Sequence, residues 1–433
     1  MIRSNFGLGL VLLAILGLVM TCGTAQAADG TWTNAAGGTW STSGNWSGDV
    51  VADGADSTAD FSTLDITATT TVTLDSPRTI GNLVYGDTAV TSGWYLNGSA
   101  LTMDTTTGTA PTITSNDWTV TIRSQLAGDD GLITSGVVNW QVVGTNRNTI
   151  AGLVTVPSGG YLRLTPSGSV SGFFNTASVG LVVESGGTLN NSVRNAFSAY
   201  GWSTAIPVTL EGGTLILTTG DLAVKDVTMN TSASTLTCNS TSGTWVDGAV
   251  WTVDASASGS TINGSGKLNI KSTGAFTLDV ADGTAATDLT VSTIIANHAW
   301  GTAGGGDFVK AGDGVLALTG ANIYFGDTKV DDGTLSIGSA YLSDTADIYV
   351  DGVALLDLGF SGTDTIDELF LDGAATAIGT WGAVGSGADH TSSLITGTGI
   401  LDVKVGIVPE PGTLALLATG LIGLLASVRR KRK

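Results

Sequence analysis

The sequence predicts an all-β chain: a right-handed parallel β-solenoid, or β-helix, with an N-terminal signal helix and a C-terminal single transmembrane helix. Three observations lead there. Glycine is abundant, 62 of 433 residues against 7 prolines, while only 12% of the chain is charged. Short runs rich in Thr, Ser, Val and Leu alternate in polarity, and almost no long amphipathic helical pattern is present. A glycine-led phrase recurs at intervals that suit one coil of a solenoid. Disorder is a poor reading, because 42% hydrophobic content supplies ample apolar surface to bury.

The first element is an export signal. Arg3 supplies the positive start, Leu8 to Met20 an apolar stretch, and Ala25-Gln26-Ala27 a small-x-small site, so cleavage is expected after Ala27. A lipid-modified Cys22 is the rival, but Thr21 is a poor residue before such a cysteine. Next, Trp32, Trp40 and Trp46 cluster in the first twenty residues of the mature chain. They either plug the open hydrophobic end of the solenoid or offer ring faces to sugars, and the plug is the stronger expectation.

The repeats follow. Gly159-Gly160-Tyr161-Leu162, Gly186-Gly187-Thr188-Leu189, Gly212-Gly213-Thr214-Leu215 and Gly264-Ser265-Gly266-Lys267-Leu268 each place glycine before a short alternating strand. The second glycines are spaced by 27, 26 and 53 residues, the last read as two periods. Farther on, Asp313-Gly314, Asp332-Gly333 and Asp351-Gly352 recur every 19 residues. Turns between coils need residues that accept positive φ, and Val, Leu, Ile and Thr fill the strands. Stacked about 4.8 Å apart, ten or more coils would form a rod on the order of 50 Å long. A β-sandwich array with Gly-rich hairpins is the competing architecture.

The chain then reaches Pro409-Glu410-Pro411, an uncharged apolar run from Gly412 to Val428, and Arg429-Arg430-Lys431-Arg432-Lys433. As a helix the run would be about 26 Å long, close to the thickness of a hydrocarbon core. The basic end is expected to stay cytoplasmic as a stop-transfer signal, which places the body of the chain outside the cytoplasm. The organisation is therefore a signal peptide at 1–27, a Trp-rich cap with the first coils at 28–120, solenoid repeats at 121–405 and a sorting and anchor segment at 406–433.

Five stretches carry a resemblance. Lys310-Ala311-Gly312-Asp313-Gly314-Val315-Leu316-Ala317-Leu318-Thr319-Gly320, continuing through Asn322, Tyr324 and Gly326 to Gly333-Thr334-Leu335, resembles the autotransporter-associated β-strand repeat over about residues 310–335. It departs from that pattern at Val315 and Phe325. The tail resembles the PEP-CTERM sorting signal, with Pro409, Glu410 and Pro411 as its motif. That resemblance implies recognition by an exosortase-type membrane protease, often associated with exopolysaccharide. The segments around Trp32 to Trp46, Pro77 to Leu83 and Leu369 to Leu401 are similar to the ends of passenger-like proteins. The alternating ten-residue strands of a translocator barrel are not found, so the resemblance implies passenger architecture on a different anchor.

Charge and chemistry narrow the function. Net charge is −20, and between the two processed ends it is −25, from 11 basic and 36 acidic residues. Nucleic acid and anionic lipid are disfavoured as partners. Removing the signal peptide leaves Cys238 alone, so no intramolecular disulfide is expected despite the export route. A carbohydrate-active β-helix enzyme, a polysaccharide lyase or glycosidase, would need paired carboxylates or a metal-assisted base. Asp129-Asp130, Asp331-Asp332 and the group Asp364, Asp367 and Glu368 are the candidates, and each reads more simply as a solvated turn. His298 and His390 are isolated in sequence, so no zinc site is expected. No cofactor is expected either. Ca²⁺ is the ion that Asp53, Asp56, Asp60 and the Asp-Gly turns would suit, although no EF-hand loop or nonapeptide array occurs. The expectation is a non-enzymatic cell-surface or extracellular-matrix rod acting in adhesion, with a membrane protease and exopolysaccharide as partners.

Overall fold

The computed structural model describes residues 27–407 except 117–118, 145–146, 168–171, 175–178, 195, 198–205, 220–221, 225, 231–232, 247, 271–273 and 298–304. The chain winds as a parallel β-solenoid. One 19-stranded sheet and one 15-stranded sheet run along it, and each coil contributes one strand to the 15-stranded sheet before returning to the other. At the usual spacing between strands the 15-stranded ladder is about 65 Å long. Helix among the described residues is limited to two single 3₁₀ turns, Ser43–Asn45 and Ser47–Asp49. None of these is long and apolar enough to cross a membrane. The expected signal helix and the expected span at 412–428 lie outside the described residues.

The alternation read from the sequence sets the register. Leu162, Leu189, Leu215, Leu236 and Ile262 stack on one another in successive coils and are fully buried. Tyr161, Thr188, Thr214, Thr235 and Thr261 stack beside them on the outer face. A one-residue slip would turn every leucine outward, so burial fixes the register.

The two glycines of the recurring phrase have different tasks. Gly159, Gly186 and Gly212 take the first position, with φ at +76°, +80° and +78°. The second glycine faces the preceding coil: a Cβ on Gly187 would lie 2.6 Å from the Val156 carbonyl oxygen, and one on Gly213 would lie 2.5 Å from that of Val183. A side chain there would push the coils apart.

Two spacings differ from expectation. Gly264 to Leu268 does not open a strand of the 15-stranded sheet. Its strand, Lys267–Ile270, pairs with Thr244–Trp245 and Ile294–Asn297 in a separate four-stranded sheet. In this stretch the coil gains a third wall, and Ser234 precedes Thr235 where the phrase would have placed glycine. The 19-residue spacing also slips at its third member. Thr334 N–H donates to Gly314 O at 3.1 Å, but Leu355 N–H donates to Gly333 O at 2.8 Å, so Ala354 rather than Gly352 stacks on Gly333. The two extra residues bulge outward, leaving Val353 77% exposed.

The C-terminal end changes strand direction. Gly379–Ala383 runs antiparallel to Ile400–Val403, which itself pairs in parallel with Thr363–Ile366. These strands lie outside the main ladders and form the last layer of the stack.

Candidate functional site

The N-terminal tryptophans are core residues. Trp46 contacts Trp32 and Trp40 edge-on, each at a centroid separation of 5.0 Å, and all three pack around Phe61. Each indole N–H is satisfied locally: Trp32 donates to Asn34 O at 2.7 Å, Trp40 to Ala52 O at 2.9 Å and Trp46 to Trp40 O at 2.7 Å. No ring face is left for a sugar, since all three residues are buried.

The repeat read at about 310–335 forms a corner with an unusual interior. Phe308–Ala311 and Val315–Leu318 make one coil, and Thr328–Val330 and Thr334–Ile337 the next. Lys310 occupies the inward row between Leu278 and Val330 and is fully buried. Its Nζ donates to Ala311 O at 2.9 Å, Gly312 O at 2.5 Å and Asp332 O at 3.1 Å. An ammonium has three donors, and here all three are used on carbonyls of two successive coils. Burial pushes the amine down to about 8, against the pull of Asp332, Asp279, Asp313 and Asp288. Asp288 adds a second stitch, accepting from Gly283 N at 2.9 Å and from Val315 N at 2.8 Å. On the outside of the corner, the hydrogen bond and repulsion from Asp332 raise the Asp313 carboxyl.

The other acidic candidates are dispersed. Asp130 accepts from Thr105 N at 3.2 Å, and burial, followed by repulsion from Asp130, raises its neighbour Asp104. Asp364 is buried under Leu342 N at 2.9 Å, and that burial raises its carboxyl. Asp367 uses its backbone carbonyl on Lys404 and Val405. Asp53, Asp56 and Asp60 do not converge either: Asp53 pairs with Arg78 at 2.6 Å, Asp56 accepts from Thr106 N at 3.0 Å, and Asp60 from Ser62 N at 2.9 Å. Among the described residues no group of three or more His, Cys, Asp or Glu is arranged to hold a metal ion. His390 stacks on Trp381 at 4.9 Å, and His298 lies outside the described residues. Cys238 is free and buried, and burial pushes its thiol up to about 12.

One feature escaped sequence reasoning. Asp307, Asp327, Asp347 and Glu368 stand just before successive strands of the 19-stranded sheet and form an axial ladder. Asp327 N donates to Asp307 Oδ1 at 3.3 Å, Asp347 N to Asp327 Oδ1 at 3.1 Å and Glu368 N to Asp347 Oδ1 at 3.2 Å. Lys329 bonds Asp307 at 2.6 Å, and burial raises the Asp327 carboxyl. Its sequence signal was an acid one position before a β-prone run, recurring every 20 or 21 residues.

Of the residues expected to direct export and sorting, Ala27 is exposed and described, while Ala25 is not. Ala28 is tied into the fold, exchanging two backbone hydrogen bonds with Asp53 at 2.8 and 3.1 Å. Pro409, Glu410, Pro411 and Arg429 to Lys433 lie outside the described residues.

Comparison with known proteins bears on both ends of this arrangement. Residues 308–337 match the model of the passenger-associated-transport-repeat, and residues 408–431 match that of the PEP-CTERM protein-sorting motif. The adhesin BmaC autotransporter of Brucella suis biovar 1 (strain 1330) is 35% identical over 193 residues, covering 42% of this chain. The chain spans only 5% of that relative's length. No solved structure matches the chain. The chain thus carries a passenger-associated-transport repeat in its solenoid and a PEP-CTERM sorting motif at its C-terminus.

Proposed function

We propose that this protein is an exported, non-enzymatic surface rod, sorted by an exosortase-type system and acting in adhesion, biofilm or exopolysaccharide association. The observation that carries the reading is the sorting-motif match at 408–431, which follows closely on Ile400–Val403, a strand of the solenoid's C-terminal end. Cleavage between Ala27 and Ala28 would leave the exposed Ala27 behind and keep both Ala28–Asp53 backbone bonds in the mature chain. The proposed hand of the coil is right-handed, the sense that about 98% of parallel crossover connections adopt. In this reading residues 412–428 span the inner membrane until a protease acts near Pro409 to Pro411, and Arg429 to Lys433 hold the end inside. The similarity to an adhesin supports adhesion as the task of the rod.

The enzymatic alternative needs an acid and a base sharing an open groove. The carboxylates that gather around an ammonium here, Asp279, Asp288, Asp313 and Asp332, surround Lys310, whose Nζ is enclosed by backbone carbonyls. That arrangement favours a structural role. Intact-mass analysis of the exported protein tests the sorting claim. The expected product starts at Ala28 and lacks Arg429 to Lys433, and the Glu410→Ala variant stays unprocessed. A mature product retaining the five basic residues would refute processing at this motif. Binding of the purified rod to the producing cell's exopolysaccharide, absent for an unrelated acidic protein, tests the partner.

A further inference from the structure

We propose that the C-terminal layer of the solenoid docks on the outer surface of a lipid bilayer through an apolar rim formed by Ile378, Trp381, Val405 and Ile407. This rests on the reading that 412–428 spans a membrane before processing, and it adds a second, peripheral contact to that anchor. Three aliphatic residues of the rim face solvent: Ile378 is 40% exposed, Val405 46% and Ile407 58%. They are held together by backbone structure. Ala377 and Ile407 form a parallel bridge, Ile407 N donates to Thr376 O at 2.8 Å, and Val405 N donates to Asp367 O at 2.8 Å. Gly406 keeps this junction close, since a Cβ there would lie 2.4 Å from Thr376 O. The rim therefore exists before any partner arrives.

Trp381 completes it. Its indole N–H donates to Ala377 O at 2.8 Å, and its ring is half-buried and stacked on His390. Amphipathic rings of this kind favour the headgroup level of a membrane. Lys404, with a half-exposed side chain, lies next to Val405 and has a stem long enough to keep its charge in water while the rim sits lower.

The connection to the anchor fixes the occupant. Only residues 408 to 411 separate Ile407 from Gly412, the first residue of the apolar run. Fully extended, that link reaches no more than roughly 18 Å from Cα to Cα. A solenoid tethered so closely keeps this end at the bilayer surface, and the residues beside the exit point are the apolar ones. The abundance of acids nearby, Asp367, Asp372, Asp389 and Asp402, directs the contact to a zwitterionic rather than an anionic surface. Docking would hold Pro409 to Pro411 at headgroup depth, where a membrane-embedded protease could reach them.

The test uses the full chain in phosphatidylcholine vesicles, carrying Cys22→Ser and one environment-sensitive NBD label at a time, Cys238 being buried and unreactive. Labels on Ile407→Cys and Ile378→Cys should brighten about two-fold on reconstitution and be quenched by doxyl-labelled lipid, as expected for an interfacial site. A label on Val353→Cys, on an exposed turn of the rod, should stay in water. The Leu421→Cys label reports the span itself. If it is quenched while positions 407 and 378 remain in water, the anchor stands and the docking is wrong. If position 421 is also in water, the membrane reading fails and the docking with it. Brightening at 407 without lipid quenching would mean a second copy covers the rim, which also overturns the proposal. Val405→Asp provides a further arm: it should abolish the shielding at 407 and leave 421 unchanged.

Discussion

The first coils and the repeat coils solve the same stacking problem with different materials. Near the N-terminus, Leu83 lies over Ile113, thirty positions later, and the wide coil is filled by aromatic bulk. Near the C-terminus, Val309 lies over Lys329, only twenty positions later, and the corner is closed by a lysine and carboxylates bonded to backbone. A wide coil has volume to fill, so bulk serves it; a tight coil has carbonyls crowded at its corner, so donors serve it. Charge follows a different division. Residues 276–405 contain 18 acidic residues and three lysines, whereas 121–275 contain eight acidic and seven basic. Residues 28–120 hold ten acidic residues and one arginine, so both ends are acidic and only the middle of the chain is balanced.

The comparison predicts which kind of damage each end tolerates least. Trp46→Ala should produce the largest loss, because the cavity opens among the buried rings of Trp32, Trp40 and Phe61, which all pack on Trp46. A cost of about 4 kcal/mol is expected, seen as a lower urea midpoint. Lys310→Met keeps the stem and removes the ammonium, leaving the carbonyls of Ala311, Gly312 and Asp332 short of a donor. About 3 kcal/mol should be lost, concentrated in the C-terminal coils by hydrogen exchange. If Lys310→Met were neutral, the polar corner would be incidental and the contrast between the two ends would reduce to coil width. Lys310 also predicts a sign with pH. Its folded-state amine is depressed to about 8 from 10.5, so burial penalises the charged form below pH 8. That penalty is relieved as pH rises from about 8 towards 10.5, and over this window wild type should gain stability relative to Lys310→Met.

Gly213→Ala sits between the two regimes. Its Cβ would meet Val183 O at 2.5 Å, so the coil must shift, at a cost of about 2 kcal/mol in thermal unfolding. The same position illustrates what the sequence made legible. Gly-Gly-Thr-Leu states a turn, a close approach, an outward residue and an inward one, and every part is found in the structure. The third wall was not legible, because Thr244–Trp245 is two residues long and carries no period. Lys310 was readable in principle: it falls on the same side of its strand as Phe308. It passed unnoticed because lysine is rarely buried, and only the carbonyls of the next coil explain why it is buried here. The acid ladder was hidden for a similar reason. An acid before a strand reads as a solvated turn until the coils are stacked.

The smallest expected effect has opposite signs at the Asp87 loop and in the repeat coils. In the N-terminal part, Asp87 is buried and accepts from Thr91 N at 2.7 Å, Ser92 N at 2.9 Å and Ile66 N at 3.0 Å. Burial works against these bonds, but together they hold its carboxyl down at about 2. A depressed carboxyl contributes stability above its unfolded value of 3.8 that is lost as pH falls towards 2. In the C-terminal part, Asp327, Asp331 and Asp364 are raised, chiefly by burial, with repulsion from neighbouring carboxylates added. Their contribution runs the other way: it is present below pH 3.8 and is lost as pH rises through the folded values. Mild acidification from neutral pH, stopping above 3.8, should therefore tighten the repeat coils while leaving the Asp87 loop unchanged. Further acidification towards pH 2 should loosen that loop. Hydrogen exchange followed by peptide and corrected for intrinsic rates reads both ends in one sample. Parallel responses at the two ends would mean that net charge, rather than the local placement of carboxylates, governs how this rod answers to pH.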